Sequence, residues 1–334
     1  MYTIAFYLRH LTFQGTEVAA FDYADYNERV LGNRSIIVVL RREAGIEWNA
    51  DVFSRFSRRF PIYILNSATD LEPTLRSAGA NVLYTLTYGS IREDARNPYC
   101  IPTAIQGIRI FVHAVFESRE PHGDGFAVVS NDLNVRMGTH APVLPHIVAP
   151  LPSPDESTLG LRVKLGIAPE VVVLGRHGAV DIPFVRDAVV EAATSDPTGI
   201  AFVFLGTVQF CTLPNVYFLP ANPDLYAKCE FIDACDAMLH ATSVGETFGL
   251  AVAEFTIRNK PVLTFAYPNP SHAHIDLLGG SGILYHTKAD LLSKMRSMKQ
   301  GWVLPSTSKL SGYFECTPEK VMQVFKKLVI ADAP

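Results

Sequence analysis

Residues 236–265, DAMLHATSVGETFGLAVAEFTIRNKPVLTF, hold the pattern that decides the fold. The short apolar run Ala237–His240 reads as a buried strand, and Ala241-Thr242-Ser243-Val244 as the loop that leaves it. Gly245, Glu246, Thr247, Phe248 and Gly249 lead into a helix that carries Glu254, and Asn259-Lys260-Pro261 turns the chain into the next strand. The unsatisfied N–H groups at a helix start, with the helix dipole, form a site for an anion. Gly249 lets a ligand come close to the backbone there. Glu246 lies just before the helix and Glu254 about five residues into it, so at a rise of ~1.5 Å per residue their carboxylates are on the order of 10 Å apart. That span suits a nucleoside diphosphate sugar. Glu246 would meet sugar hydroxyls, the backbone of Thr247, Phe248, Gly249 and Leu250 would meet phosphate, and Glu254 would meet the ribose diol. Carboxylates accept paired hydroxyl hydrogen bonds well, which accounts for the residue type at both ends.

Outward from this segment, strand and helix patterns alternate along the whole chain. Before it, strands are expected at Thr3–Leu8, Ser35–Leu40, Pro61–Leu65, Val82–Thr87, Ile108–Phe116, Ala127–Ser130 and His146–Val148. Helices are expected at Thr16–Leu31, Asn49–Arg59 and Asp70–Ala78. A proline-rich stretch, Pro142–Pro154, is the linker candidate, because proline removes backbone donors. After it, strands are expected at Val171–Leu174, Ile200–Leu205, Val216–Leu219, Ala237–His240, Pro261–Phe265 and Gly282–Tyr285. Helices fall at Pro183–Thr194, Pro223–Ala234, Gly249–Arg258, Lys288–Met298 and Pro318–Leu328, the last opened by Thr317 and Pro318. Repeated strand–helix–strand order implies parallel sheets with right-handed crossovers. The fold class is therefore α/β, with two doubly wound, Rossmann-like domains facing a central cleft and ligands at the carboxyl ends of the strands. The boundaries are 1–150 and 151–316.

Two glutamates eight positions apart, with Phe248-Gly249 between them and Lys260-Pro261-Val262 after them, resemble the retaining glycosyltransferases of family 4 and their GT-B relatives. The resemblance covers most of the chain in order of elements, with its specific motifs between Val171 and Phe265. It implies a GT-B arrangement in which residues 317–334 return to the first domain. It implies that Arg176, in Gly175-Arg176-His177-Gly178, holds the donor diphosphate, a task suited to the fixed donors of a guanidinium. The family usually adds a lysine about five residues on, where this chain has Asp181, so the usual cation pair is incomplete. The resemblance further implies that Gly15 approaches the donor, and that His113, after the Ile108–Val112 run, borders the transferring sugar. Gly15 stands alone and is not a G-x-G-x-x-G fingerprint, which argues against a dinucleotide oxidoreductase.

Bulk properties set the remaining bounds. With 334 residues, 48% hydrophobic and 19% charged, each half can bury its own core. The net charge of −4, without a long basic run, argues against nucleic acid as a partner. Arg55, Arg58 and Arg59 read first as a solvated helix face and second as a membrane or acceptor surface, the basis for a peripheral membrane contact. Cys100, Cys211, Cys229, Cys235 and Cys316 show no C-x-x-C spacing, and a reducing cytoplasm fits them. Met1–Tyr7 reads as a first strand rather than a signal peptide. His272, His274 and Asp276 have metal-compatible spacing, but short loop histidines are usually solvated, so no metal and no cofactor are expected.

The expectation is a glycosyltransferase, hexosyl or pentosyl, moving a sugar from a nucleotide diphosphate sugar to a hydroxyl of a glycan or other acceptor. It would act with retention, without a metal, and with His113 and Glu246 as catalytic residues. The rivals are a sugar-nucleotide epimerase or phosphorylase on the same architecture, or a degenerate scaffold that the lysine-less Asp181 position would favour.

Overall fold

The computed structural model describes residues 1–41, 48–87, 102–117, 121–153, 160–178, 181–266, 271–299, 311–331 and 333. Cys100, the Pro154 end of the linker candidate and Pro268-Asn269-Pro270 lie outside the described residues. The chain divides into two compact units, Met1–Ala149 with Glu315–Pro334, and Pro150–Phe314.

The first unit is built on six parallel strands: β1 (Thr3–Leu8), β2 (Arg34–Leu40), β3 (Ile62–Leu65), β4 (Val82–Thr87), β5 (Arg109–Ala114) and β6 (Gly125–Val128). Their order across the sheet is β3-β2-β1-β4-β5-β6. The strands read as near-continuous apolar runs because a parallel sheet with helical crossovers is covered on both faces. Ile36, Ile37, Val38 and Val39 of β2 all have zero exposure. The helices Gly15–Arg29, Ala50–Arg59 and Leu71–Ser77 are the early crossovers. Asn49 caps the second of them by accepting from the amides of Asp51 and Val52. The last helix, Pro318–Phe325, also belongs to this unit and continues as a π-helical turn, Lys326–Ile330. It places Phe325 against Phe6 and Tyr23, with ring centroids 6.4 and 5.6 Å away.

Some boundaries differ from the sequence expectation for identifiable reasons. His146–Val148 forms no strand; the surrounding prolines remove donors, and the amide of Val148 instead donates to the carbonyl of Cys316 at 2.8 Å. The strand expected at Ala127 begins earlier, at Gly125, where a Cβ would lie 2.5 Å from the Phe111 ring. The strand expected to end at Leu174 runs on through His177.

The second unit repeats the plan with β7 (Val172–His177), β8 (Ile200–Leu205), β9 (Val216–Leu219), β10 (Ala237–His240), β12 (Val262–Phe265) and β14 (Gly282–Tyr285), all parallel. A separate two-residue pair, β11 (Gly245–Glu246) with β13 (Ser271–His272), stands apart from this sheet. The sheet order is β14-β12-β10-β7-β8-β9. The chain therefore runs outward from β7 to β9, returns to the other side of β7 at β10, and runs outward again. The order reverses between β7 and β10, and such a switch point leaves a crevice at the carboxyl ends of the two strands. Gly175 lets the end of the Leu225–Ala234 helix pack closely on β7, since a Cβ there would lie 2.1 Å from the Cys235 sulfur and 3.3 Å from the Phe231 ring. Among the described residues no helix is long and apolar enough to cross a membrane.

Candidate functional site

The carboxyl ends of β7 and β10 bring together most of the chemistry-bearing side chains of the second unit. Arg176 is the next-to-last residue of β7 and only 5% exposed. Burial pulls its guanidinium pKa down, while Glu246, Tyr285 and Asp181 act to support the charge. Asp181 follows β7 and ties down the loop after β10, accepting from the amide and the hydroxyl of Ser243 at 2.9 and 3.0 Å. The aspartate at the position where a lysine was sought thus anchors the Ala241–Val244 loop. It brings a negative charge rather than a second cation.

Glu246 lies in β11, with a side chain still 32% exposed. Its Oε1 is 3.2 Å from Nε2 of His240, the last residue of β10. Burial raises the Glu246 carboxyl pKa, and the Arg176 charge opposes the rise. Gly249 follows as the N-cap of the helix Leu250–Ile257, with φ of 85°. A Cβ there would come within 3.0 Å of the His274 Cβ and 3.1 Å of the Tyr313 hydroxyl, so glycine is required by both conformation and space. With no side-chain cap, the first amides of this helix are directed away from its own hydrogen-bond ladder.

Glu254, one turn into the helix, is held elsewhere. Its Oε1 accepts from the Lys228 ammonium at 2.7 Å, and its Oε2 lies 3.0 Å from Nε2 of His177. Burial works against this charge, but Lys228 and His177 outweigh it and hold the carboxyl down at about 2. The His177 ring in turn stacks on Phe255, with centroids 6.1 Å apart.

Solved structures place this architecture. HepE of Anabaena in complex with UDP and glucose superposes with a TM-score of 0.68, at 13% identity over 97% of each chain. A glycosyltransferase from Rickettsia africae ESF-5 gives 0.65 at 12% identity, over 96% of this chain and 93% of that one. The UDP co-structure of S. aureus MnaA gives 0.64 at 12% identity, over 100% and 99%. The fold is GT-B. No protein-family model matches the sequence, and no curated protein matches it.

Within the GT-B frame the expected site residues separate into three groups. Arg176, Glu246, Thr247, Gly249 and Leu250 lie at one end of the second unit's sheet. Phe248 is there too, but its ring is 2% exposed and packs edge-on to Tyr313, and its carbonyl accepts from the Tyr313 hydroxyl at 2.6 Å. Its side chain is a packing element rather than a ligand contact. Glu254 belongs to the neighbouring Lys228–His177 cluster.

Gly15 and His113 lie in the first unit. Gly15 is the first residue of the helix after β1 and is exposed. His113 is inside β5 with zero exposure, its Nδ1 2.7 Å from the Tyr84 hydroxyl and its ring against Tyr23 and His146. The strand runs on past His113 to Ala114 and both faces of the sheet are covered, so the ring is enclosed in the core rather than presented at the strand end. Burial, then the neighbouring His146, pushes its pKa well down.

Two further expectations, for His274 and for the arginine trio, are revised. His274 is not a solvated loop histidine; it sits in the helix Ala273–Leu278 with zero exposure, tucked under Gly249. Among the described residues no group of three or more His, Cys, Asp or Glu side chains is placed to hold a metal ion. The arginine trio is largely engaged. Arg59 pairs with Asp25 and Glu28, Arg55 lies over the Phe21 ring at 4.0 Å, and Arg58 is the exposed member. The trio thus splits between an intramolecular ion pair, a ring contact and solvent.

The sequence reading passed over His240, Thr264, Lys228 and Glu17. His240 and Thr264 face each other in register at the carboxyl ends of β10 and β12, a placement implied once the strand order is known. Glu17, in the first turn after β1, is 3% exposed and is pushed up to about 7 by burial, against the hydrogen bond from Thr16 at 2.8 Å.

Proposed function

We propose that the protein is a glycosyltransferase that moves a sugar from a nucleotide diphosphate sugar to an acceptor hydroxyl, with its donor site in the second unit. The observation that carries this is the convergence, at the β7/β10 switch point, of the buried Arg176 guanidinium, the Glu246 carboxylate and the Gly249-capped helix start. A guanidinium and outward-facing helix amides are complementary to a diphosphate, and a carboxylate is complementary to sugar hydroxyls. The titles of similar structures fit that chemistry: HepE was solved with UDP-glucose, MnaA with UDP, and WaaG is a glycosyltransferase of lipopolysaccharide biosynthesis. A uridine nucleotide is accordingly the first donor to test.

In this reading the leaving diphosphate is stabilised electrostatically by Arg176 and the Leu250–Ile257 helix start, groups fixed in place before the reaction. The protein charges take the role of a metal, and the acceptor hydroxyl passes its proton to the departing phosphate on the same face of the sugar, giving retention. Lys228 supplies a second cation in the unit, but its contact with Glu254 directs it to the ribose-binding carboxylate rather than to phosphate. Glu254 Oε1 is taken by Lys228 while Oε2 lies beside His177, so a ribose diol would join that cluster or displace the His177 contact.

The test is a thermal-shift screen with UDP, GDP, ADP and their common sugars, followed by a nucleotide-release assay with hydroxyl acceptors. Stabilisation by a nucleoside diphosphate with acceptor-dependent release supports the proposal. Release of an epimerised nucleotide sugar without any acceptor would replace transfer by epimerisation, and the absence of any nucleotide effect would leave a scaffold.

A further inference from the structure

Four polar side chains from separate segments of the second unit form one hydrogen-bonded line. Glu246 Oε1 lies 3.2 Å from His240 Nε2, His240 Nδ1 lies 2.8 Å from Thr264 Oγ1, and Thr264 Oγ1 lies 2.9 Å from His274 Nε2. The two imidazole centroids are 4.7 Å apart. His240 is 1% exposed, and Thr264 and His274 have zero exposure, whereas Glu246 reaches the surface. The line therefore begins at a carboxylate accessible to a ligand and ends inside the protein. Its backbone cause is the β10/β12 register, which sets His240 opposite Thr264. The Tyr285 hydroxyl fixes the same carboxyl end of β10 by donating to the His240 carbonyl at 2.7 Å.

The line has a direction. Burial pushes His240 well down and His274 to about 3, so both rings are neutral at neutral pH. A neutral imidazole has one donor and one acceptor, and a hydroxyl has one donor. If Glu246 is ionised it only accepts, and the rest follows. His240 donates from Nε2 to Glu246, Thr264 donates to His240 Nδ1, and His274 donates from Nε2 to Thr264. Burial works against the ionised end, and the Arg176 charge supports it. His240 faces Arg176, Asp181 and His177; Glu246 faces Arg176, His274 and His177; His274 faces His240, Glu246 and His272. Of these, Arg176 is the permanent cation.

We propose that His240 is a positioning residue for Glu246, with Thr264 and His274 fixing its Nε2–H tautomer so that one carboxylate oxygen is held and Oε2 is presented to a hydroxyl of the donor sugar. Among the described residues no hydrogen bond reaches Glu246 Oε2. The role rests on the proposed function, since it assigns Glu246 the sugar rather than phosphate or base.

The experiment reads the histidine tautomers directly, without any donor. In protein labelled with ¹⁵N-histidine, long-range ¹H–¹⁵N correlation is expected to show His240 neutral and protonated at Nε2 from pH 8 to pH 5. Thr264→Val should leave the two His240 tautomers mixed, and Thr264→Ser should restore one. In parallel, with UDP-glucose as the probe, Thr264→Val should lower kcat about tenfold, the equivalent of one lost hydrogen bond, with UDP affinity unchanged, and Thr264→Ser should recover most of the loss. His240 protonated at Nδ1 in the wild type, or a tautomer indifferent to Thr264→Val, overturns the positioning role whatever the donor assay gives. A fixed Nε2–H tautomer in a protein that binds no nucleotide overturns the proposed function instead, so the two failures are distinguishable.

Discussion

Glu17→Gln isolates a single buried carboxyl and gives a sign as well as a size. Glu17 sits 3% exposed in the first turn after β1, where burial raises its pKa from 4.5 to about 7. The folded chain then binds this proton more tightly than the unfolded chain. The associated stability is fully present below pH 4.5 and is lost as pH rises through 7. A shift of about 2.5 pKa units corresponds to about 3 kcal/mol at full extent, of which about 2.5 kcal/mol falls between pH 5 and pH 8. Glutamine keeps the shape and can still accept from the Thr16 hydroxyl, but carries no titration. The stability difference between Glu17→Gln and the wild type is therefore expected to grow in favour of the variant by about 2.5 kcal/mol from pH 5 to pH 8. Urea titrations of both proteins at several pH values measure it, and the comparison cancels the histidines common to both. A difference that stays flat with pH, or grows in the opposite direction, would refute the reasoning that Glu17 is a desolvated carboxyl.

The other expectations concern both units. Lys228→Met leaves the Glu254 carboxylate, 12% exposed, without its ammonium partner; a loss of about 3 kcal/mol is expected in denaturant unfolding, with weaker nucleotide binding by calorimetry. Gly249→Ala places a Cβ 3.0 Å from His274 at φ of 85°, so destabilisation of about 1–3 kcal/mol is expected in thermal unfolding. Burial lowers His113 strongly and His146 to about 3, so the first unit should lose stability as pH falls below 6.5. His146→Gln should flatten that acid limb in pH-dependent unfolding.

The sheet architecture was legible because parallel strands buried on both faces write themselves as apolar runs. Residues 236–265 read as strand, glycine turn, helix and strand in order, and the strand order adds the switch point beside which this segment lies. Side-chain direction was less legible. The apolar run reads as ending at His113, but the strand continues to Ala114 and the covered sheet encloses the ring. His274 was read as a loop residue because the short helix Ala273–Leu278 has too few turns to show periodicity. The Glu246–His240–Thr264–His274 line joins residues up to 34 positions apart, and strand register sets the His240–Thr264 contact at its centre. The missing lysine at Asp181 was a correct observation about residue type, but its structural meaning, an anchor for Ser243, depends on a loop contact that sequence order does not contain.

In the proposed function, Arg176 and the Leu250–Ile257 helix start hold a nucleoside diphosphate. Isothermal titration of UDP, GDP and ADP into the wild type and Arg176→Ala addresses it most directly. At least one nucleotide should bind the wild type, and Arg176→Ala, still folded by circular dichroism, should lose about tenfold or more in affinity for it. Equal affinity in both proteins, or no heat from any of the three with the wild type, would contradict the account.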